Sequence, residues 1–252
     1  MTATDDLPTR PFVIGHRGCG RLTSADGFFE NTVAGFVNAA RLGATWVELD
    51  AKLNADRDLV LHHNVHFDQV PISTMPSQQC RHVGLATLDD VHAALPPGVG
   101  IFLEVKFGPT DATGGATIDA CVAWAAAHRL ERPLLVASFD PSVPAAAAAV
   151  RLPSGWITRT GWPLYESVTS AARLGCAVAA VHASEVVDMN PDHPGPETIL
   201  GLLAETGVRL WVWDAVAEDV PLMISRGVTG LMTDDIIGVA AAVAAQQRST
   251  PS

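Results

Sequence analysis

Basic residues are scarce in this chain: 16 Lys and Arg stand against 27 Asp and Glu, a formal net charge of −11. A surface that follows the phosphates of nucleic acid needs clustered Lys and Arg, so no nucleic-acid partner is expected. Cysteine is equally thin, with Cys19, Cys80, Cys121 and Cys176 the only four in 252 residues. They form no CxxC pair and keep no regular spacing. That argues against a disulfide framework or a zinc site and leaves buried or free thiols. No stretch of about 18 apolar residues runs without a charge or turn signal, so no stable membrane insertion is expected. The opening, Met1 to Arg10, is polar and acidic and lacks the charged-then-apolar order of a signal peptide. A cytoplasmic protein is the expectation. Linkers and low-complexity segments are missing too, apart from ends expected to fray at 1–9 and 246–252. The chain therefore reads as one domain over 1–252.

What is present is 48% hydrophobic residues arranged in two alternating textures. Short apolar runs predict strands at 11–16, 45–53, 100–106, 133–139, 155–160, 177–183, 208–214 and 228–233. Ala/Leu-rich stretches with helical spacing predict helices near 31–42, 87–95, 115–130, 142–151, 163–174, 196–206, 217–226 and 235–247. Thr87 is placed to cap a helix, with Asp89 and Asp90 in its first turn, where negative charge is favoured. Gly43, Gly175, Gly207 and Gly227 each follow a helical stretch, as left-handed caps do. Strands such as Leu134-Leu135-Val136-Ala137 are continuously apolar, as buried parallel strands should be. Eight such βα units in about 250 residues predict a TIM (β/α)8 barrel; a doubly wound open sheet is the alternative. One short insertion after the second strand holds the extended piece Leu59–His63. The stretch from Asn64 to Ala86 reads as an irregular loop.

Barrel proteins place working groups at the carboxyl ends of their strands. His16 and Arg17 fall at the end of the first strand, Glu48 and Asp50 at the second, Glu104 and Lys106 at the third. Residues two apart on a strand face the same side, so each of the last two pairs projects together. Three carboxylates meeting at one barrel mouth repel unless a hard cation neutralises them, and oxygen ligands suit Mg2+ or Ca2+ better than Zn2+. His16 and His63 are candidates for general acid and base, because imidazole titrates closest to neutral pH. Arg17 and Lys106 are candidates to bind a single phosphate. His62 should face away from His63, His66 is a weak candidate to line the mouth, and His182, closing the sixth strand, could contact substrate. His82, His92, His128 and His193 fall in helix or loop patterns with no assigned chemistry.

The chain resembles the glycerophosphodiester phosphodiesterases. The ordered motifs are His16-Arg17-Gly18, Glu30-Asn31-Thr32, Gly43 through Asp50, Leu59 through His63, Thr87 through Val91 and Leu103-Glu104-Val105-Lys106. Ser138-Phe139-Asp140-Pro141, Val212-Trp213 and Gly227 through Asp234 extend the match toward the C-terminus. The resemblance implies a TIM-barrel hydrolase that releases sn-glycerol 3-phosphate and an alcohol from a small-molecule phosphodiester. It implies His16 and His63 as the acid/base pair, and Glu48, Asp50 and Glu104 as ligands of one divalent cation, Ca2+ or Mg2+. It further implies that Arg17 and Lys106 bind the phosphate, that Glu30 lies near the mouth, and that Trp213 is an aromatic wall. A vicinal hydroxyl of the substrate would attack phosphorus to give a cyclic phosphate that water opens.

Several residues depart from the family pattern. Asn64 replaces the usual Asp after the second histidine, Phe29 replaces Pro before Glu30, and Asp58 stands where a turn Gly is common. The loop from Cys19 to Phe29 is long, the stretch from His63 to Thr87 is short, and Asp214-Ala215-Val216 follows Trp213. These positions surround the pocket and bear on substrate choice. Two other functions fit the same residues: phospholipase D-like cleavage of lysolipid or sphingolipid headgroups, suggested by Phe28 and Phe29, and a non-catalytic barrel that binds a phosphate ligand. The leaving alcohol, the physiological metal and the oligomeric state are not encoded in any motif.

Overall fold

Residues Trp46–Leu53 alternate charged or aromatic with aliphatic side chains, yet all eight are buried. That pattern is expected of a strand covered on both faces, with helices outside and a barrel interior within. The computed structural model describes residues 7–20, 27–108, 112–188 and 194–249. In chain order its first half comprises β1 (Phe12–Gly15), α1 (Val33–Arg41), β2 (Trp46–Leu53), β3 (Leu59–Leu61), β4 (His66–Phe67), β5 (Val70–Pro71), α2 (Ser77–His82), α3 (Leu88–Ala94), β6 (Gly100–Val105) and α4 (Gly114–His128). There follow β7 (Leu134–Ser138), α5 (Ser142–Ala149), β8 (Ser154–Ile157), α6 (Leu164–Arg173), β9 (Val178–His182), α7 (Ala183–Val187), α8 (Pro196–Thr206), β10 (Arg209–Trp213), α9 (Val220–Ser225), β11 (Val228–Thr233) and α10 (Ile236–Ser249).

Parallel pairing runs β1-β11-β10-β9-β8-β7-β6-β2, and β2 returns to β1 through Ile14 opposite Trp46 and Gly15 opposite Val47. The closure makes this a single (β/α)8 barrel and rules out the open sheet. Val47, Leu49 and Ala51 of β2 and Ile101, Leu103 and Val105 of β6 point outward into the cluster beneath the helices. Trp46 and Phe102 point inward with Phe12 and Trp211. Phe12 and Trp46 meet Trp211 edge-on at centroid distances of 5.1 and 5.3 Å, geometry that adds roughly 0.5–1.5 kcal/mol per pair beyond burial. These indoles fit because their strand partners lack side chains: a Cβ on Gly100 would lie 2.3 Å from Trp46, and one on Gly230 2.5 Å from Trp211.

Local signals act where the residues are. Thr87 caps α3 by accepting from the Asp90 N–H, and Asp90 returns the bond as a capping box. Gly207 ends α8 at φ +71°, its N–H reaching the Leu203 carbonyl.

The structure corrects the sequence reading in four places. The stretch 64–86 is ordered: β4 pairs with β5, a 3-10 turn spans Ile72–Thr74, and α2 follows. It has its own small core of Val60, Ile72, Met75, Cys80 and Leu85, too short in period to show as one long pattern. The helix expected at 217–226 divides into a 3-10 turn, Ala217–Asp219, and α9, because Pro221 fits only a first helical turn. Helix α7 begins where the ninth strand ends and was not anticipated. The ends expected to fray are partly tied down. Leu7 is 4% exposed, Arg209 donates to the Pro8 carbonyl, and α10 runs to Ser249 with Gln247 donating to the Pro11 carbonyl. All four cysteines are buried, and none is in a disulfide. Among the described residues no helix is long and apolar enough to cross a membrane.

Candidate active site

The alternation of β2 stacks Glu48, Asp50 and Lys52 inside the barrel above Trp46, and the parallel register sets Asp50 beside Glu104 of β6. Oxygens of Glu48, Asp50 and Glu104 lie within 4.8 Å of one another, all three residues buried. The turn after β1 reaches into this cluster. Arg17 adopts φ +50°, its N–H donates to Glu48 Oε2 at 2.8 Å, and its guanidinium pairs with Glu30 at 3.0 Å and stands 3.7 Å from Asp50. Gly18 permits that approach: at φ +92°, a Cβ would sit 3.0 Å from the Gly35 carbonyl carbon. Lys106 Nζ lies 2.6 Å from Glu104 Oε1 and 3.2 Å from Asp50 Oδ1.

Burial pushes Glu48 well above the usual carboxylate range, helped by the charges of Asp50 and Glu104. Burial also raises Glu104, against the pull of Lys106. For Asp50 burial acts in the same direction but loses to Lys106, Lys52, His63 and Arg17, and the group ends well below its ordinary value. Lys106 is raised, since Glu104 and Asp50 outweigh its own desolvation. Lys52, buried with Nζ donating to the His62 carbonyl, falls to about 8. Burial thus holds Glu48 and Glu104 above their ordinary values, and Glu48 Oε1 is buried without a hydrogen bond. An all-oxygen donor set of three clustered carboxylates fits a hard divalent cation.

His16 follows β1 and its Nδ1 lies 2.8 Å from Asp234 Oδ1 and 3.9 Å from Asp214 Oδ1, which leaves Nε2 turned toward Glu48, 3.9 Å away. His63 follows β3, the strand antiparallel to β2. Burial pushes it down to about 4 although Asp50 opposes the shift. Both rings line one hollow of about 160 Å³, with Arg17, Glu48, Glu104 and Lys106. A wider cleft of about 660 Å³ shares His63, Lys106 and Trp213 and adds Phe107, Asp140 and Arg159.

Other candidates fall further from the hollow. Glu30 lines neither cavity and acts on it through Arg17. His182 caps α7 by accepting the Ser184 N–H and sits edge-on to Trp213 at 4.4 Å; Trp213 lines both cavities and His182 lines neither. His62 turns away, its Nδ1 on the Asn64 carbonyl. His66 is exposed on β4 and His82 on α2, and His193 lies outside the described residues. His92 and His128, which had no assigned chemistry, come together with Glu131.

Three contributors escaped the sequence reading of the site. Asn31, at φ +55°, donates from Nδ2 to Asp50 Oδ2 at 2.8 Å and accepts the Asp50 N–H on Oδ1 at 3.2 Å. Asp234 and Asp214 flank His16, and Asp214 holds φ +60°. The last two follow β11 and β10 directly, so the strand-end rule that found Glu48 and Glu104 would have found them.

Fold and site together define a TIM-barrel protein that gathers a carboxylate triad, two imidazoles and cationic side chains at the barrel mouth, where such barrels place their working groups. The model of the glycerophosphoryl diester phosphodiesterase family matches residues 16–237, and the chain belongs to that family. Among curated proteins, glycerophosphocholine phosphodiesterase GDE1 of Candida albicans is 46% identical over 55 residues, 21% of this chain and 5% of that protein. Its counterpart from Eremothecium gossypii is 44% identical over 55 residues, 21% of this chain and 4% of the relative. The chain thus spans only a small fraction of the length of the curated relatives it matches. Solved structures share the fold. A glycerophosphodiester phosphodiesterase from Parabacteroides distasonis aligns with TM-score 0.76 at 17% identity, covering 96% of this chain and 100% of its own. One from Thermotoga maritima aligns at 0.72 and 19%, covering 93% and 99%. An Oleispira antarctica phosphodiesterase in complex with the product sn-glycerol-3-phosphate aligns at 0.69 and 19%, covering 97% and 100%.

Proposed function

We propose that this hollow hydrolyses glycerophosphodiesters, giving sn-glycerol 3-phosphate and an alcohol in the cytoplasm. The reading is carried by the buried carboxylate cluster of Glu48, Asp50 and Glu104, two of which, Glu48 and Glu104, line one hollow with His16 and His63. Glu48, Asp50 and Glu104 would hold one Ca2+ or Mg2+, which when bound supplies positive charge against the phosphoryl oxygens. Arg17 and Lys106 hold the phosphate, and Trp213 packs against the substrate's carbon face. His63, neutral near pH 7 because burial lowers it to about 4, takes the proton from the substrate's vicinal hydroxyl as that oxygen bonds phosphorus. His16, oriented by Asp234, gives a proton to the departing alkoxide as its P–O bond breaks. The cyclic phosphate is then opened by water. His16 accepts the water proton and His63 returns one to the glycerol oxygen, restoring both rings.

The test is release of glycerol 3-phosphate from glycerophosphocholine or glycerophosphoethanolamine with added Ca2+ or Mg2+, and its loss on chelation. His16→Ala and His63→Ala should each lower kcat by roughly 10²–10⁴-fold in folded protein; unaffected turnover would remove those roles. One observation favours a second reading. Phe29 is 61% exposed beside Glu30, as an apolar contact for lysolipid would be. Cyclic phosphate accumulating from lysolipid micelles, with glycerophosphocholine untouched, would select that reading.

A further inference from the structure

Helix α3 ends by leading into β6 and helix α4 by leading into β7, so their C-termini meet at the amino end of the barrel, opposite the active site. There His92 Nε2 lies 2.9 Å from Glu131 Oε2, and His128 Nδ1 lies 3.0 Å from Glu131 Oε1. The two imidazoles are 4.4 Å apart, centroid to centroid. One nitrogen from each ring and a carboxylate oxygen lie within 4.8 Å of one another.

The frame around these groups is fixed. Arg132, the residue after Glu131, donates to the carbonyls of His92 and Val99 at 2.9 and 3.0 Å, which locks the end of α3 to the loop that carries the carboxylate. Trp124 packs on both rings, at 5.3 Å from His92 and 4.6 Å from His128, and is held by its Nε1–H donating to Asp89 at 2.7 Å. His92 Nδ1 is buried without a hydrogen bond, so Nε2 is the nitrogen of that ring open to a ligand. The side chains of His92 and His128 are only 12% and 28% exposed, whereas that of Glu131 is 56% exposed and free to adjust.

We propose that His92, His128 and Glu131 form a second metal site, for a Zn2+-class transition ion. Two imidazoles and one carboxylate suit such an ion, with water as the fourth ligand, whereas the all-oxygen triad suits a hard one. Nitrogen and oxygen ligands at roughly 2.0–2.2 Å from zinc require the three donors to draw together, and the exposed Glu131 and the helix-terminal His128 are the groups able to move. The ion would replace the two imidazole–carboxylate contacts and clamp α3 to the segment leading into β7. This site is independent of the proposed phosphodiesterase chemistry.

The experiment is a Co2+ titration of metal-free protein, followed by visible absorption, alongside Zn2+ equilibrium dialysis with metal analysis. The parent should show the d–d bands of four-coordinate cobalt. His128→Ala should abolish them and bind one Zn2+ fewer. Glu131→Gln, at an exposed position that tolerates the change, should weaken Zn2+ by roughly 10- to 100-fold. Asp50→Asn should keep the bands, and phosphodiesterase activity should be unchanged in His128→Ala. The proposal is overturned if the parent shows no such bands and retains no zinc, or if His128→Ala and Glu131→Gln both match the parent.

Discussion

Asn31 offers a sharp test of how the carboxylate cluster is held. It is buried, sits at φ +55°, and clamps Asp50 through two hydrogen bonds, at 2.8 and 3.2 Å. Asn31→Ala removes a bond to a charged group, about 1.5–3 kcal/mol, and one between neutral groups, about 0.5–1.5 kcal/mol. It also puts a Cβ-bearing residue without a polar side chain in the left-handed region, about 1–2 kcal/mol. The expected loss is roughly 3–6 kcal/mol, a large part of a typical domain's total of about 5–15. Because Asn31 also orients a proposed metal ligand, the metal concentration for half-maximal activity should rise by roughly 10- to 100-fold. Asn31→Asp separates geometry from charge. It keeps the acceptor for the Asp50 N–H but sets a carboxylate against Asp50 Oδ2, so its loss should shrink with added cation or falling pH. Urea unfolding with and without Ca2+ or Mg2+, together with activity against metal concentration, reads both effects. An Asn31→Ala variant within about 1 kcal/mol of the parent, with unchanged metal dependence, would refute the reasoning.

Other consequences follow from the same geometry. Asp234→Ala strips His16 Nδ1 of its 2.8 Å partner; a charge-assisted bond of about 1.5–3 kcal/mol predicts a fall in kcat/KM of roughly 10- to 150-fold, read by steady-state kinetics. His63 is held near 4 by burial, below the value of about 6.5 for an exposed ring. The unfolded chain therefore binds the extra proton first, and the stability His63 contributes is complete above about 6.5 and lost as pH falls toward 4. His63→Gln should flatten that part of the pH dependence of the urea midpoint, and superimposable curves would count against it. Gly230→Ala drives a methyl to 2.5 Å from Trp211 and should cost about 1–3 kcal/mol in thermal unfolding. Burial pushes the Cys121 thiol up to about 12 and Cys176 to about 11, so at pH 8 iodoacetamide should label them slowly in native protein and fully in urea.

The barrel and most of the residues lining the hollow are legible in the order and spacing of the residues alone. Eight apolar runs separated by helical spacing cannot bury themselves as parallel strands without helices on the outside, and two-residue alternation alone sets Glu48 with Asp50 and Glu104 with Lys106. His16 and His63 were legible from strand ends and motif order. Tertiary structure decided what depends on distance along the chain. Asp234 reaches His16 across 218 positions because closure sets β11 beside β1, which no local pattern encodes. Asn31 grips Asp50 only because the left-handed backbone at 31 turns its amide inward. The segment 64–86 folds because Ile72, Met75, Cys80 and Leu85 converge with Val60 of β3 on one cluster, with no periodicity to announce it. His92, His128 and Glu131 meet because two helices end at the same barrel rim, where packing brings together side chains that the sequence keeps up to 39 residues apart.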